Sequence, residues 1–123
     1  VELVPADFQS HAAECFDLYF AGAGGAHVHA KYLRPKNVTE PHPAVVVFHG
    51  YSASSGDWNG YLGWVSQGYA VAALDVRGQA GKSQDVGGTS GRTMSGHFIR
   101  GLDDALSGRP EKMLFRNVYL DCA

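Results

Sequence analysis

Apolar and polar positions along the chain fall into short runs whose lengths and periods predict alternating strands and helices. Cys15 to Phe20 and His27 to Leu33 are β-prone stretches parted by Gly22-Ala23-Gly24-Gly25, a pattern that predicts an antiparallel hairpin. Three prolines between Pro35 and Pro43 then suit a surface connection. Ala44-Val45-Val46-Val47-Phe48 is an unbroken apolar run too short for a helix, as expected of a strand covered on both faces in the middle of a sheet. Trp58, Tyr61, Leu62 and Val65 follow at the spacing of one helical face, and Gly68 is a natural stop. Tyr69 to Val76 is a second short apolar run, so strand, helix and strand succeed one another and the two strands are expected to be parallel.

Downstream the periodicity lapses. Arg77 to Arg109 holds eight glycines and no sustained pattern, which is long for a loop unless it serves a site or an interface. Pro110 suits a first helical position and Glu111 the positive end of a helix, while Phe115, Val118, Tyr119 and Cys122 trace an apolar stripe. The predicted architecture is therefore α/β, a mostly parallel sheet with an N-terminal antiparallel hairpin. Two parallel strands and one crossover helix leave such a sheet half covered. Residues 1–123 are accordingly expected to be the N-terminal part of a single domain that continues beyond them.

Charge and cysteine content narrow the partners. Ten basic against twelve acidic side chains, a formal net charge of -2, provide no field to recruit nucleic acid or an anionic membrane. No stretch approaches the roughly 20 apolar residues of a membrane helix. Cys15 and Cys122 stand far apart in no zinc-like spacing, which suits two free thiols and a cytoplasmic setting.

Candidate chemistry gathers at the ends of the two apolar runs. His49-Gly50-Tyr51-Ser52 leaves the first, where open α/β sheets place their ligand crevice. In α/β-hydrolases the loop after such a strand donates a backbone N–H to an oxyanion, and glycine lets the main chain approach the reacting carbonyl. Tyr51 N–H is the candidate donor; an ordinary strand-ending turn is the plainer alternative. Arg77-Gly78-Gln79 leaves the second run beside it, with a guanidinium able to brace neighbouring loops or simply to face solvent. Gly81-Lys82-Ser83 is half of a phosphate-loop pattern, but Val76 stands where that pattern requires glycine. His27 and His29, with His11 or His42, have the residue types of a metal site, although histidines alternating along a strand more often face solvent. For a catalytic triad the chain offers Ser52, Ser54, Ser55, Ser90 and Ser95, His49 or His97, and Asp57, Asp75 or Asp103. No serine sits in Gly-x-Ser-x-Gly, and Gly87-Gly88-Thr89-Ser90-Gly91 comes nearest with its serine displaced.

Taken together, Pro43 to Tyr51, Trp64 to Tyr69 and Asp75-Val76-Arg77-Gly78-Gln79 resemble the acetyl xylan esterase and cephalosporin C deacetylase group, carbohydrate esterase family seven. Gly96-His97, Arg100-Gly101-Leu102 and Phe115 to Asp121 are similar to that family's approach to its nucleophile strand. The resemblance implies an α/β-hydrolase fold and a cofactor-free serine esterase that deacetylates short xylo-oligosaccharides and cephalosporin-type esters. It also implies a ring-shaped hexamer. By the same resemblance Tyr51 acts through its backbone N–H, with His49, Gly50, Arg77, Gly78 and Gln79 supporting the site. The family's nucleophile elbow, acid and histidine fall after the position matching Asp121, so residues 1–123 alone are expected to be inactive. A non-catalytic binding module of the same fold, or another α/β-hydrolase such as a peptidase or dienelactone hydrolase, remains open.

Overall fold

A computed structural model describes residues 1–85 and 99–123. Among them a five-stranded sheet runs in the order β1-β2-β3-β5-β4, built from β1 (Glu2–Pro5), β2 (Ala13–Ala21), β3 (His27–Pro35), β4 (Ala44–Phe48) and β5 (Ala70–Asp75). The glycine-rich break joins β2 to β3 as the predicted antiparallel hairpin, with Ala21 opposite His27 and Ala13 opposite Pro35. A short 3₁₀ turn at Ala23–Gly25 closes it, with Gly24 at φ 69°.

The expectation of a mostly parallel sheet is corrected among the described residues. Only β4 and β5 pair in parallel, with Val46 opposite Ala72. The pairings β1–β2, β2–β3 and β3–β5 are antiparallel. The hairpin docks directly onto β5, so antiparallel strands make up the larger part of the sheet. β1 is an addition: four exposed residues without alternation, paired to the outer edge of β2.

Each face of the sheet carries its own core. One gathers Ala6, Ala13, Cys15, Leu33 and Val71 under Val65, with Phe8, Trp58, Tyr61 and Leu62 packed around them. Trp58, Tyr61 and Leu62 come from a 3₁₀ turn, Trp58–Tyr61, that runs into helix α1, Leu62–Ser66. Gly68 ends α1 as expected, at φ 89°. Its N–H reaches Val65 O at 2.9 Å and Tyr69 N–H reaches Trp64 O at 3.1 Å, the paired bonds by which a left-handed glycine closes a helix.

The opposite face buries Ala26, Val28, Ala30 and Leu74, with Leu18, Phe20 and Cys122 against them. Cys122 belongs to helix α3, Leu114–Cys122, whose buried residues are Leu114 and Val118. The apolar stripe is thus partly corrected, because Tyr119 is 65% exposed. Pro110 does open a helical turn, but a separate 3₁₀ one, Pro110–Lys112. A five-residue helix α2, Leu102–Leu106, lies within the stretch expected to be irregular.

β4 departs most from its expectation of a central position covered on both faces. It is the edge strand of the described sheet. Val45 and Val47 are half-buried towards α1, while Val46 and Phe48 are 58% and 49% exposed. Cys122 of α3 packs against the core residues of β3 and β5, and a cleft separates Phe48 of β4 from Phe115, Val118 and Tyr119 of that helix.

Candidate active site

The chain leaves β4 through a tight turn. Ala53 N–H donates to Gly50 O at 3.3 Å, and Ser52 takes a left-handed φ of 64°. A positive φ at the third residue of a turn is a place glycine or asparagine usually fills. Here serine holds it, and its N–H donates to Gln79 Oε1 at 2.5 Å. Next in line, Ala80 N–H donates to Ala53 O at 3.1 Å. Ahead of the turn, Val76 N–H donates to His49 Nε2 at 2.9 Å, and His49 Nδ1 lies 2.8 Å from Gly50 O. The loops after β4 and β5 are therefore stitched together, side chains continuing where the parallel ladder stops. His49, Gly50, Tyr51 and Gln79 border one cleft of about 490 Å³, whose other walls are Phe48, Val76, Phe115, Val118, Tyr119 and Cys122. Its lining is largely apolar, the character of a pocket that excludes water around a few polar groups. A Cβ on Gly50 would meet none of the described residues within 4 Å, and its φ is not left-handed. The described residues thus make no demand for glycine there.

Arg77 is fully buried, which settles its alternatives in favour of bracing. Its Nε donates to Asp121 Oδ2 at 2.6 Å and its Nη2 to Asp121 Oδ1, a fork on a carboxylate that only arginine makes. Nη1 reaches Asp85 Oδ1 at 3.1 Å and Nη2 reaches Ala23 O at 2.9 Å. One guanidinium ties helix α3, the loop after β5 and the hairpin turn together. Burial pulls its pKa down, and the bonds and charges of Asp121 and Asp85 outweigh that, raising it. Gln79 is buried beside it, so both ends of Arg77-Gly78-Gln79 act inward.

His29 corrects the solvent-facing reading of the strand histidines. His27 is exposed, but His29 is fully buried, with Nδ1 2.7 Å from Asp75 Oδ2 and Nε2 2.6 Å from Asp17 Oδ1. Burial pushes the Asp75 carboxyl up, but bonds from His29 and from the Lys82 and Ser55 amides outweigh it and hold it well below the ordinary range. Burial likewise raises Asp17, and Lys82 and His29 bring it below its usual value. Both carboxylates are therefore acceptors, and each ring nitrogen faces one of them. This histidine–aspartate pair has the look of half a catalytic relay. With both nitrogens engaged and no exposure, it can take no proton from a nucleophile.

Gly81-Lys82-Ser83 wraps that same aspartate. Lys82 N–H donates to Asp75 Oδ2 at 2.9 Å, Ser83 Oγ accepts His29 N–H at 2.8 Å and donates to Asp75 O at 2.5 Å. A Cβ on Gly81 would overlap the Asp75 carboxylate, so glycine is required there by space. The segment that read as half a phosphate loop serves the protein's own carboxylate. Sequence reasoning missed this network because Asp17, His29 and Asp75 come from three different strands.

Of the triad candidates, Ser55 is buried and receives Lys31 Nζ on its hydroxyl at 2.7 Å, while its amide donates to Asp75. Asp57 and Asp103 lie on the surface. Ser90, Ser95, His97 and Gly87 to Gly91 fall outside the described residues. Among the described residues no three metal-type side chains come together, and no helix is long and apolar enough to cross a membrane.

Comparison with known proteins adds to this geometry. A family model described as acetyl xylan esterase matches residues 1–123. The solved structure of acetyl xylan esterase 1 from Thermoanaerobacterium sp. JW/SL YS485 is 55% identical over 98% of this chain, with a TM-score of 0.85. The acetyl xylan esterase from Paenibacillus sp. R4 is 33% identical over 98% of it, with a TM-score of 0.78. The chain spans 36% and 37% of those two proteins.

Proposed function

The chain belongs to the acetyl xylan esterase family, and from that premise we propose that it is part of a serine esterase in which Tyr51 N–H receives the oxyanion. The observation that carries this is the loop after β4: Gly50, where an added Cβ would meet no described residue within 4 Å, lines an apolar cleft and shares a peptide unit with the Tyr51 amide. As the carbonyl carbon of an acetyl ester becomes tetrahedral, its oxygen gains charge, and a backbone donor already in place stabilises that charge without reorganisation. No described residue stands within 4 Å of a Cβ at Gly50, which leaves the ester room to approach. Gln79 holds the far side of the turn, Gly78 takes a left-handed φ of 71° between them, and Arg77 fixes the elements behind them.

In this reading the nucleophilic serine, its histidine and the acid lie outside residues 1–123, and the serine's successor supplies the second N–H. The substrates are acetylated xylo-oligosaccharides and cephalosporin-type esters. No cofactor takes part. The full-length protein works as a hexamer in a reducing cytoplasm, where Cys15 and Cys122 stay as thiols; a monomer in light scattering would contradict the assembly. Residues 1–123 alone do not turn over ester.

The test is made on the full-length protein with p-nitrophenyl acetate and acetylated xylo-oligosaccharide. Position 51 precedes the left-handed residue of a turn, where proline fits readily, so Tyr51→Pro removes the N–H with little change of backbone. It is expected to lower kcat by about 10²- to 10³-fold, while Tyr51→Phe, which keeps the backbone N–H, stays within about twofold. Equal activity of Tyr51→Pro and wild type would end the oxyanion assignment.

A further inference from the structure

The ring of His49 is bonded on both sides. Its Nε2 faces an amide, Val76 N–H, at 2.9 Å, so Nε2 must be the accepting, unprotonated nitrogen. The proton then belongs to Nδ1, which donates to Gly50 O at 2.8 Å. Gly50 O also accepts Ala53 N–H at 3.3 Å. That carbonyl shares one planar peptide unit with the N–H of Tyr51, and the chain holds no cis peptide among its described residues. In a trans unit C=O and N–H point in opposite directions. Whatever fixes the Gly50 carbonyl therefore also aims the Tyr51 amide.

We propose that His49, as its Nδ1–H tautomer anchored on β5 through Val76, is the positioning residue that orients the Gly50–Tyr51 peptide and so aims the Tyr51 N–H. This rests on the reading of Tyr51 as oxyanion donor and explains what holds that donor still. Two bonds to one carbonyl remove the rotation by which a glycine-containing turn would otherwise lose its direction, since glycine restrains its own dihedrals least. A carbonyl that accepts hydrogen bonds also polarises its peptide, and neighbouring bonds in such a chain strengthen by about 10–30%. The ring thereby sharpens the donor as well as aiming it. His49 touches no reacting atom, and its effect passes through the peptide plane.

The proposal separates the two nitrogens, and amide side chains separate them too. Asparagine carries an N–H near the place of Nδ1, whereas glutamine reaches the place of Nε2. In the full-length protein, His49→Ala is expected to lower kcat for p-nitrophenyl acetate by about 10- to 100-fold with KM within about threefold, as for a misaimed group. His49→Asn restores most of that rate, and His49→Gln does not. If His49 mattered only as a strut between the loops, Gln would restore activity and Asn would not, which overturns the proposal. Wild-type rates in all three variants, with Tyr51→Pro still impaired, overturn it and leave the oxyanion reading standing. Should the variants fail to fold, the nitrogen-15 spectrum of the wild-type ring decides: an Nε2–H tautomer refutes the assignment. Absence of ester turnover in the wild type condemns the functional reading instead, and the same spectrum still judges the ring.

Discussion

β3 and β4 flank the same strand, β5, and meet it at the same residue, Tyr32 and Val46 both lying opposite Ala72. On the β3 side, Val28 and Leu33 are fully buried, and His29 shares its carboxylates with Asp17 and Asp75. On the β4 side a run just as apolar leaves Val46 and Phe48 about half exposed, next to the cleft that carries His49, Gly50 and Tyr51. The difference lies in the neighbours: among the described residues β3 has a strand on either side, and β4 has a strand on one side only. Burial is a property of surroundings, and a hydrophobic run states only what it would tolerate.

Three experiments sharpen or break this contrast. The largest effect is expected from Arg77→Met, which strands Asp121 without its cation behind the closed side. Leaving a buried charge unpaired costs about 3–5 kcal/mol, read as a lowered midpoint in chemical denaturation; a loss below about 1 kcal/mol would mean that the closed side is not held by this fork. Next come paired truncations across β5. Leu33→Ala, on the buried side, should cost about 2–5 kcal/mol, and Phe48→Ala clearly less than half as much. Equal losses would abolish the distinction between the two sides. The smallest effect is acid sensitivity. Asp75 and Asp17 are held below the ordinary carboxylate pKa of about 4, so below that value the unfolded chain takes up protons that the folded chain refuses. Their contribution is present above the unfolded pKa and fades as pH falls through the folded one. Melting temperature should therefore drop on acidification below about pH 4, with a shallower slope in Asp75→Asn. An unchanged slope would show that the network on the closed side is electrostatically idle.

Much of the local structure was legible because it is written in period and punctuation. The hairpin around Gly22–Gly25, the parallel pair and the stop at Gly68 all followed from short-range rules. What failed needed partners remote in sequence. β1 has no alternation of its own and exists by pairing with Asp17 and Tyr19. Helix α2 is five residues long, too short for Leu102, Ala105 and Leu106 to establish a period. His29 alternates like a surface residue and is buried because two carboxylates from other strands meet it. At the cleft, the positions of His49, Gly50, Tyr51 and Gln79 were readable from where the apolar runs stop. The bonds that join them were not, since Val76 N–H and Gln79 Oε1 reach back by 27 residues each.

The loop at Gly81-Lys82-Ser83 closes around Asp75 with an amide, a hydroxyl and a glycine left bare to make room. Such segments elsewhere welcome a travelling phosphate. Here the guest is tethered to the host, an anion carried by the strand that leads into the loop and never released. A nucleotide would find the seat taken, and a motif that advertises a visitor from outside has become a latch on the protein's own frame.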